Sequence, residues 1–161
     1  MARRQGNIDA NRIGLWGKSY GGYLTAMGLA RNSNLFKAGV DIEGCHHFPR
    51  EFRQKHWNSS KFELTAPEDM DEIRARSQRA LESSPWHYLD GWTSPALLIH
   101  PDDDRSVHFE ESQRLYHALR ERNVEVEGLA IPDEVHTFLT HKPWISSYQR
   151  LSDFFKRHLK P

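Results

Sequence analysis

The 161-residue sequence has a single cysteine, Cys45, so no disulfide can form within the chain. No run of residues approaches the ~20 consecutive apolar residues of a membrane-spanning helix, and polar residues follow Arg3-Arg4 where a signal peptide would have its apolar core. Basic and acidic residues number 22 each, so charge favours neither nucleic acid nor an anionic membrane as a partner. A lone cysteine is typical of a reducing compartment, and we expect a cytoplasmic protein.

Repeats and low-complexity segments are also absent from the sequence. With 37% hydrophobic residues, a chain of 161 residues can form one core of ordinary size, and we expect one domain over residues 1–161. From about residue 46 to about residue 94 the sequence turns polar with scattered aromatic residues, which indicates an inserted segment of helix and loop. Thr65 and Glu68 form a capping box, which predicts a helix over about Pro67 to Leu81.

The run from Arg12 to Gly22 reads as a strand that ends in G-x-S-x-G and opens a helix. In such a nucleophile elbow, small residues two positions either side of the serine, here Gly17 and Gly21, let the backbone turn sharply and expose the hydroxyl. Ser19 is therefore the candidate nucleophile. The helix that follows directs its free N–H groups and positive dipole end at the site, so the N–H of Tyr20 is a candidate oxyanion donor.

A serine hydroxyl needs a base, and the base needs an orienting carboxylate. In α/β hydrolases the acid and then the histidine follow later parallel strands, in the chain order Ser, Asp, His. The buried strand predicted over Pro95–His100 leads into three successive carboxylates, Asp102, Asp103 and Asp104. The strand predicted over Val124–Ile131 leads into a loop that contains His136, the candidate base.

Three segments together resemble the catalytic domain of the prolyl oligopeptidase family of serine peptidases. The elbow of that family looks like G-x-S-Y-G-G, its acid loop like L-L-I-H-G-x-x-D-x-x-V and its histidine loop like P-D-E-x-H-x-F. They match Gly17–Gly22, Leu97–Val107 and Pro132–Phe138 in this order. The resemblance covers nearly the whole chain and implies a serine peptidase that acts on a peptide or acyl-peptide substrate and needs neither cofactor nor metal.

The resemblance also implies roles for individual positions. It places the acid at Asp104, four residues past the strand-ending His100. It places Cys45 and Phe48, from the loop after the strand predicted over Phe36–Ile42, in the wall of the substrate pocket, together with Val107 of the acid loop. Two positions depart from the pattern, since Pro101 replaces a usual glycine and Lys18 stands where relatives often carry an aromatic or small residue.

The fold implied by the resemblance is the C-terminal half of an α/β hydrolase. Only Met1 to Asn11 precede the elbow strand, so we expect a mostly parallel sheet of about four strands with helices on both faces. The elbow strand, Ile13–Gly17, would then be an edge with unmet N–H and C=O groups. We expect this edge to pair with an N-terminal half or with a second copy of the chain. The last helix, over Pro143–Lys160, should pack through Ile145, Tyr148, Leu151, Phe155 and Leu159.

Three alternatives remain open on the sequence. An esterase or thioesterase would use the same triad, because the triad sets acyl transfer while the pocket sets the substrate. The chain could instead be a remnant that folds but serves as a binding partner, or a catalytically weak fragment that works only with another chain. Finally, His46-His47, His100 and the run Asp102–Asp104 offer metal-binding side chains, although their spacing fits no compact ligand set.

Overall fold

In the computed structural model, which describes residues 8–50 and 70–160, parallel strands alternate with helices. The elements, in chain order, are β1 (Gly14–Lys18), α1 (Tyr20–Asn32), β2 (Ala38–Ile42), α2 (Met70–Glu82), a 3₁₀ helix (Pro85–Gly91), β3 (Ala96–Pro101), α3 (Glu110–Glu121), β4 (Val126–Ile131) and α4 (His141–Leu159).

The described strands form one parallel sheet in the order β1-β2-β3-β4. Every residue of β2 and β3 is buried, as is usual for central strands of a parallel sheet with both faces covered. Within the described part of the chain, β1 pairs with β2 alone, through the register that sets Gly17 opposite Asp41. The prediction that the elbow strand lies at an edge is therefore confirmed for the described residues.

Side chains alternate between the two faces of the sheet, so two apolar layers form. On one face, Ala96 and Leu98 pack with α1, α3 and the 3₁₀ helix around the buried Trp92. On the other face, Leu97 and Ile99 of β3 and Val40 of β2 pack around Phe154 of α4. Helices thus cover both faces of a parallel sheet, which confirms the α/β class predicted from the sequence.

Element boundaries differ from the predictions by a few residues. The helix expected over Pro67–Leu81 is described over Met70–Glu82, so its end lies one residue later than predicted. Its predicted start at Pro67 and its capping box, Thr65 and Glu68, lie outside the described residues. The inserted segment contributes α2 and the 3₁₀ helix between β2 and β3. That residues 1–161 form a single domain stays a prediction.

The packing face predicted for α4 is wrong in part. Ile145 and Tyr148 remain 45% and 44% exposed, while Phe154, which the prediction omitted, is fully buried. The stripe that faces the sheet therefore centres on Phe154, with Leu151 and Phe155 at its border. Tyr148 instead lies beside the edge strand, where its ring meets Trp16 of β1 edge to face at 6.1 Å.

Candidate active site

Ser19 lies in the turn between β1 and α1, in a conformation that few side-chain-bearing residues adopt. Its φ of 55° and ψ of −116° lie far from both helical and extended values. The turn is held by two hydrogen bonds: the Ser19 N–H donates to the carbonyl of Ile42 at 2.8 Å, and the Tyr23 N–H donates to the carbonyl of Ser19 at 3.0 Å. This strained turn lifts the hydroxyl above the carboxyl end of the sheet, as a nucleophile elbow requires.

The glycines of the elbow differ in what they permit. A Cβ at Gly17 would collide with the backbone carbonyl of Gly21, and one at Gly22 would lie 2.8 Å from the carbonyl of Ile42. A Cβ at Gly21 would meet no described atom within 4 Å. The expectation that the turn needs small residues at both Gly17 and Gly21 is therefore corrected, because close backbone approach occurs at Gly17 and Gly22.

His136, in the loop after β4, faces the serine across the carboxyl ends of the strands. Its Nε2 atom lies 2.7 Å from Ser19 Oγ, although 117 residues separate the two in the chain. The imidazole is one-fifth exposed and therefore accessible from solvent. The structure thus brings the predicted nucleophile and the predicted base into hydrogen-bond contact.

Among the three successive aspartates, it is Asp104 that faces this histidine. Its Oδ2 lies 2.7 Å from His136 Nδ1, and its Oδ1 accepts hydrogen bonds from the N–H groups of Ser106 at 2.8 Å and Val107 at 2.9 Å. Asp102 instead accepts a hydrogen bond from the N–H of Asp133 at 2.8 Å, and Asp103 is exposed.

The environment of Asp104 keeps it ionised. Burial by itself favours the neutral acid, but hydrogen bonds from His100, His136 and the two backbone N–H groups outweigh burial and hold the pKa of Asp104 well below its usual range. His100 is itself buried, with Nδ1 2.7 Å from Ser112 Oγ and Nε2 3.3 Å from Asp104 Oδ2. A permanently charged carboxylate therefore faces the Nδ1 side of His136.

The pKa of His136 is raised, first by the hydrogen bond to Asp104, against the lowering effect of burial, and further by the charge of Glu43. Glu43 was not among the sequence candidates. Its side chain is fully buried, with Oε2 3.2 Å from His136 Nδ1. The position of Glu43 directly after β2 is the sequence signal that could have identified it, because ligands and reacting groups of parallel sheets lie at the carboxyl ends of the strands.

The remaining predicted residues differ in their contacts with this centre. Tyr20 is the first residue of α1, so its N–H lies at the positive end of the helix dipole. The ring of Phe48 lies 5.0 Å from that of Tyr23, which in turn lies 5.3 Å from that of Tyr20. Cys45 is buried, and Val107 contacts the acid through its backbone N–H. Their roles as oxyanion donor and pocket wall stay predictions.

Two groups of side chains in the described ranges offer atoms close enough to hold a cation. Atoms of Glu43, Asp104 and His136 lie within 4.8 Å of one another, as do atoms of Glu125, Glu127 and His158. Neither group is the set considered from the sequence. Of those residues, His46 is buried with Nε2 2.7 Å from Asp41 Oδ2.

The parallel sheet, the elbow and the order of the site residues define an α/β hydrolase-like protein. The chain belongs to the prolyl oligopeptidase family, whose sequence pattern it matches over residues 1–161. Dipeptidyl peptidase 4 of Sus scrofa is 29% identical over 96% of this chain and 19% of its own length, and prolyl endopeptidase FAP of Mus musculus is 27% identical over 94% of this chain and 19% of its own. The acylaminoacyl peptidase of Pyrococcus horikoshii superposes with a TM-score of 0.81 at 27% identity, over 98% of this chain and 26% of its own.

The comparisons confirm the family that the sequence motifs predicted. The chain spans about a fifth to a quarter of the length of these relatives. Among the described residues, no helix is both long and apolar enough to cross a membrane.

Proposed function

We propose that this chain carries the catalytic centre of a serine peptidase, with Ser19 as nucleophile, His136 as general base and Asp104 as orienting acid. The observation that supports this proposal is the unbroken line of contacts from Ser19 Oγ to His136 Nε2 and from His136 Nδ1 to Asp104 Oδ2, each of 2.7 Å. A nucleophile–base hydrogen bond with a third group orienting the base is the arrangement that acyl transfer requires.

In the proposed reaction, Ser19 Oγ attacks the carbonyl carbon of the substrate while its proton passes to His136 Nε2. The imidazolium then returns this proton to the leaving amine as the C–N bond breaks, and an acyl-enzyme remains. Water repeats the sequence: it gives its proton to His136, attacks the ester carbonyl and releases Ser19 with its hydroxyl restored. Asp104 accepts the Nδ1–H hydrogen bond throughout, so that whenever His136 is neutral its lone pair is on Nε2.

The oxyanion that forms in each step lies, in this proposal, at the N-terminus of α1. The N–H of Tyr20 donates to it, with the helix dipole adding positive potential. Serine peptidases commonly use two such donors, and loss of one costs about 10²–10³ in turnover. We therefore expect the N–H of Tyr20 to contribute a factor of this order to turnover.

The proposed substrates are peptides or acyl-peptides, in line with the names of the relatives. Cys45, Phe48 and Val107 are apolar residues that suit the wall of a pocket for the residue on the acyl side of the cleaved bond. The aromatic series Phe48, Tyr23 and Tyr20 supports this assignment, because it runs from the loop after β2 to the residue next to Ser19.

A partner is proposed for the edge of the sheet. In the described part of the chain, β1 has a hydrogen-bonded neighbour on one side, and Trp16 in this strand is 50% exposed. An exposed strand edge flanked by apolar side chains favours pairing with a further strand. The proposed partner is a second copy of the chain or a chain that supplies the N-terminal half of the fold.

A fluorophosphonate probe tests the proposed nucleophile directly, because it reacts with a serine only when a base activates the hydroxyl. The intact chain should be labelled at Ser19, as located by mass spectrometry of its peptides. Labelling should vanish in Ser19→Ala, fall strongly in His136→Ala and persist in Ser152→Ala, a control at an exposed position of α4. Labelling of Ser19→Ala equal to that of the parent chain would refute the proposal.

A further inference from the structure

Lys18, the last residue of β1, bridges the serine strand to the histidine loop. Its Nζ donates a hydrogen bond of 2.8 Å to the backbone carbonyl of His136 and forms an ion pair with Glu43 Oε1. The same ammonium lies 5.6 Å from the ring centroid of Trp144, which limits where it can move. The Lys18 side chain thus connects the end of the serine strand to the backbone carbonyl of His136.

Glu43 completes the bridge from the other side. Its carboxylate is fully buried, with one oxygen on Lys18 Nζ and the other 3.2 Å from His136 Nδ1. The backbone is constrained as well, because Glu43 has a φ of 49° and its N–H donates to the carbonyl of Ile99 at 2.8 Å. A buried carboxylate is costly unless paired, so Lys18 makes this position of Glu43 tenable.

Charged groups from three neighbouring elements face His136: Lys18 at the end of β1, Glu43 after β2 and Asp104 after β3. On the loop of His136 itself, Glu134 accepts hydrogen bonds from the Leu139 N–H and the Thr140 hydroxyl. Burial raises the pKa of Glu43, while the contacts with Lys18 and His136 act in the opposite direction. With Glu43 ionised and His136 neutral, Lys18, Glu43 and Asp104 carry a net charge of −1. When His136 takes the serine proton, the four groups together become neutral, which favours the imidazolium that the proposed reaction passes through.

We propose that Lys18 and Glu43 are positioning residues for the Ser19–His136 pair: Lys18 tethers the histidine loop to the serine strand, and Glu43 is a second carboxylate that stabilises the protonated imidazole. The inference rests on the proposed function of Ser19 and His136. It gives a physical role to the lysine at the variable position of the G-x-S motif and to the glutamate that follows β2.

The proposed electrostatic role of Glu43 is tested by titration of the His136 imidazole, a measurement that does not depend on activity. The intact chain is labelled with ¹³C at histidine Cε1, the His136 signal is identified by its loss in His136→Gln, and it is titrated in the parent, Glu43→Gln and Glu121→Gln chains. Loss of the nearby negative charge should lower the His136 titration midpoint by about half a pH unit or more in Glu43→Gln. Glu121→Gln, a control at an exposed position of α3, should match the parent.

The tether is tested by three replacements at Lys18 and one double variant, with an activated p-nitrophenyl ester as substrate. Lys18→Arg keeps donor and charge, Lys18→Gln keeps a donor without charge, and Lys18→Met keeps neither. We expect kcat to fall roughly tenfold or more in Lys18→Met with KM little changed, because the base is displaced while the pocket is not. Lys18→Arg should retain most of the parent kcat, and Lys18→Gln should lie between the two. The double variant Lys18→Met/Glu43→Gln, which leaves no unpaired carboxylate buried, should fold and keep the low kcat.

The results separate this inference from the proposed function. A parent chain that fluorophosphonate does not label refutes the proposed function, whereas the histidine titration still measures the action of Glu43. A His136 midpoint in Glu43→Gln within about 0.2 unit of the parent refutes the electrostatic role. The tether is refuted if kcat in Lys18→Met or in the double variant equals that of the parent. Lys37→Met is the control, because Lys37 is an exposed residue before β2. A kcat in Lys37→Met as low as that in Lys18→Met also refutes the tether.

Discussion

Oδ2 of Asp104 lies 2.7 Å from Nδ1 of His136, across a chain separation of 32 residues. The carboxylate of Asp102 accepts a hydrogen bond from the backbone N–H of Asp133, so Asp102 contacts the main chain of the loop that contains His136. Two aspartates two positions apart therefore make different contacts with one loop, and substitutions can separate their contributions.

We predict that Asp104→Asn lowers kcat by about 10³–10⁴, because an asparagine can hold His136 in the tautomer that leaves no lone pair on Nε2. Asp102→Asn keeps an oxygen for the Asp133 N–H and should stay within severalfold of the parent, as should Asp103→Asn. The measurement is kcat for a p-nitrophenyl ester in the three variants. A loss in Asp102→Asn as large as that in Asp104→Asn would overturn the assignment of the acid.

The pH dependence follows from the raised pKa of His136, whose main cause is the hydrogen bond to Asp104. The base must be neutral to accept the proton of Ser19, and a raised pKa keeps it protonated to higher pH. Activity should therefore rise with pH through a midpoint above the usual value of about 6.5. Rates of labelling of Ser19 between pH 5 and 9 measure this midpoint, and one at or below about 6 would contradict the prediction.

Chelation tests the cation-binding alternative at Glu43, Asp104 and His136. The ammonium of Lys18 already pairs with Glu43, so a divalent cation would have to displace it. We expect prolonged dialysis against EDTA to leave the labelling rate of Ser19 unchanged. A loss that added zinc restores would shift the interpretation to a metal site.

The elbow glycines offer a matched pair of substitutions. Gly17→Ala places a methyl group against the Gly21 carbonyl, and we expect it to lower the free energy of unfolding by about 1–3 kcal/mol. Gly21→Ala meets no described atom within 4 Å and, in a helix, should be neutral or raise this free energy by up to about 1 kcal/mol. Urea unfolding followed by tryptophan fluorescence compares them, and equal losses in the two variants would contradict the steric explanation.

Self-association through β1 is the last prediction. At tens of micromolar, the mass from light scattering should exceed that of one chain, since β1 pairs on one side only within the described residues and Trp16 is half exposed. Trp16→Lys should shift the mass towards the monomer, whereas Leu35→Lys, in the turn after α1, should not. A monodisperse monomer at this concentration would refute the pairing.

Much of the fold could be predicted from the sequence because its signals are local. Each signal is formed by residues only a few positions apart in the chain. This holds for the apolar runs of β2 and β3 and for the G-x-S-x-G turn between β1 and α1. The position of His136 could be predicted for the same reason, since it needs only a strand followed by a loop. The exposure of Ile145 and Tyr148 could not be predicted from the sequence. The apolar periodicity of their helix is the same whether or not another element covers these two side chains.

The sequence by itself determined the class of fold, the family and the candidates Ser19 and His136, whose motifs are contiguous. Tertiary structure decided which carboxylates face the histidine: among the residues alone three aspartates stayed open, and Glu43 was not considered. The physical reason is that side-chain contacts across a parallel sheet depend on strand order and on backbone turns such as that of Glu43. Lys18 ends β1, whereas Glu43, Asp104 and His136 follow three other strands, and only the packed sheet brings their charged atoms within a few ångströms of each other.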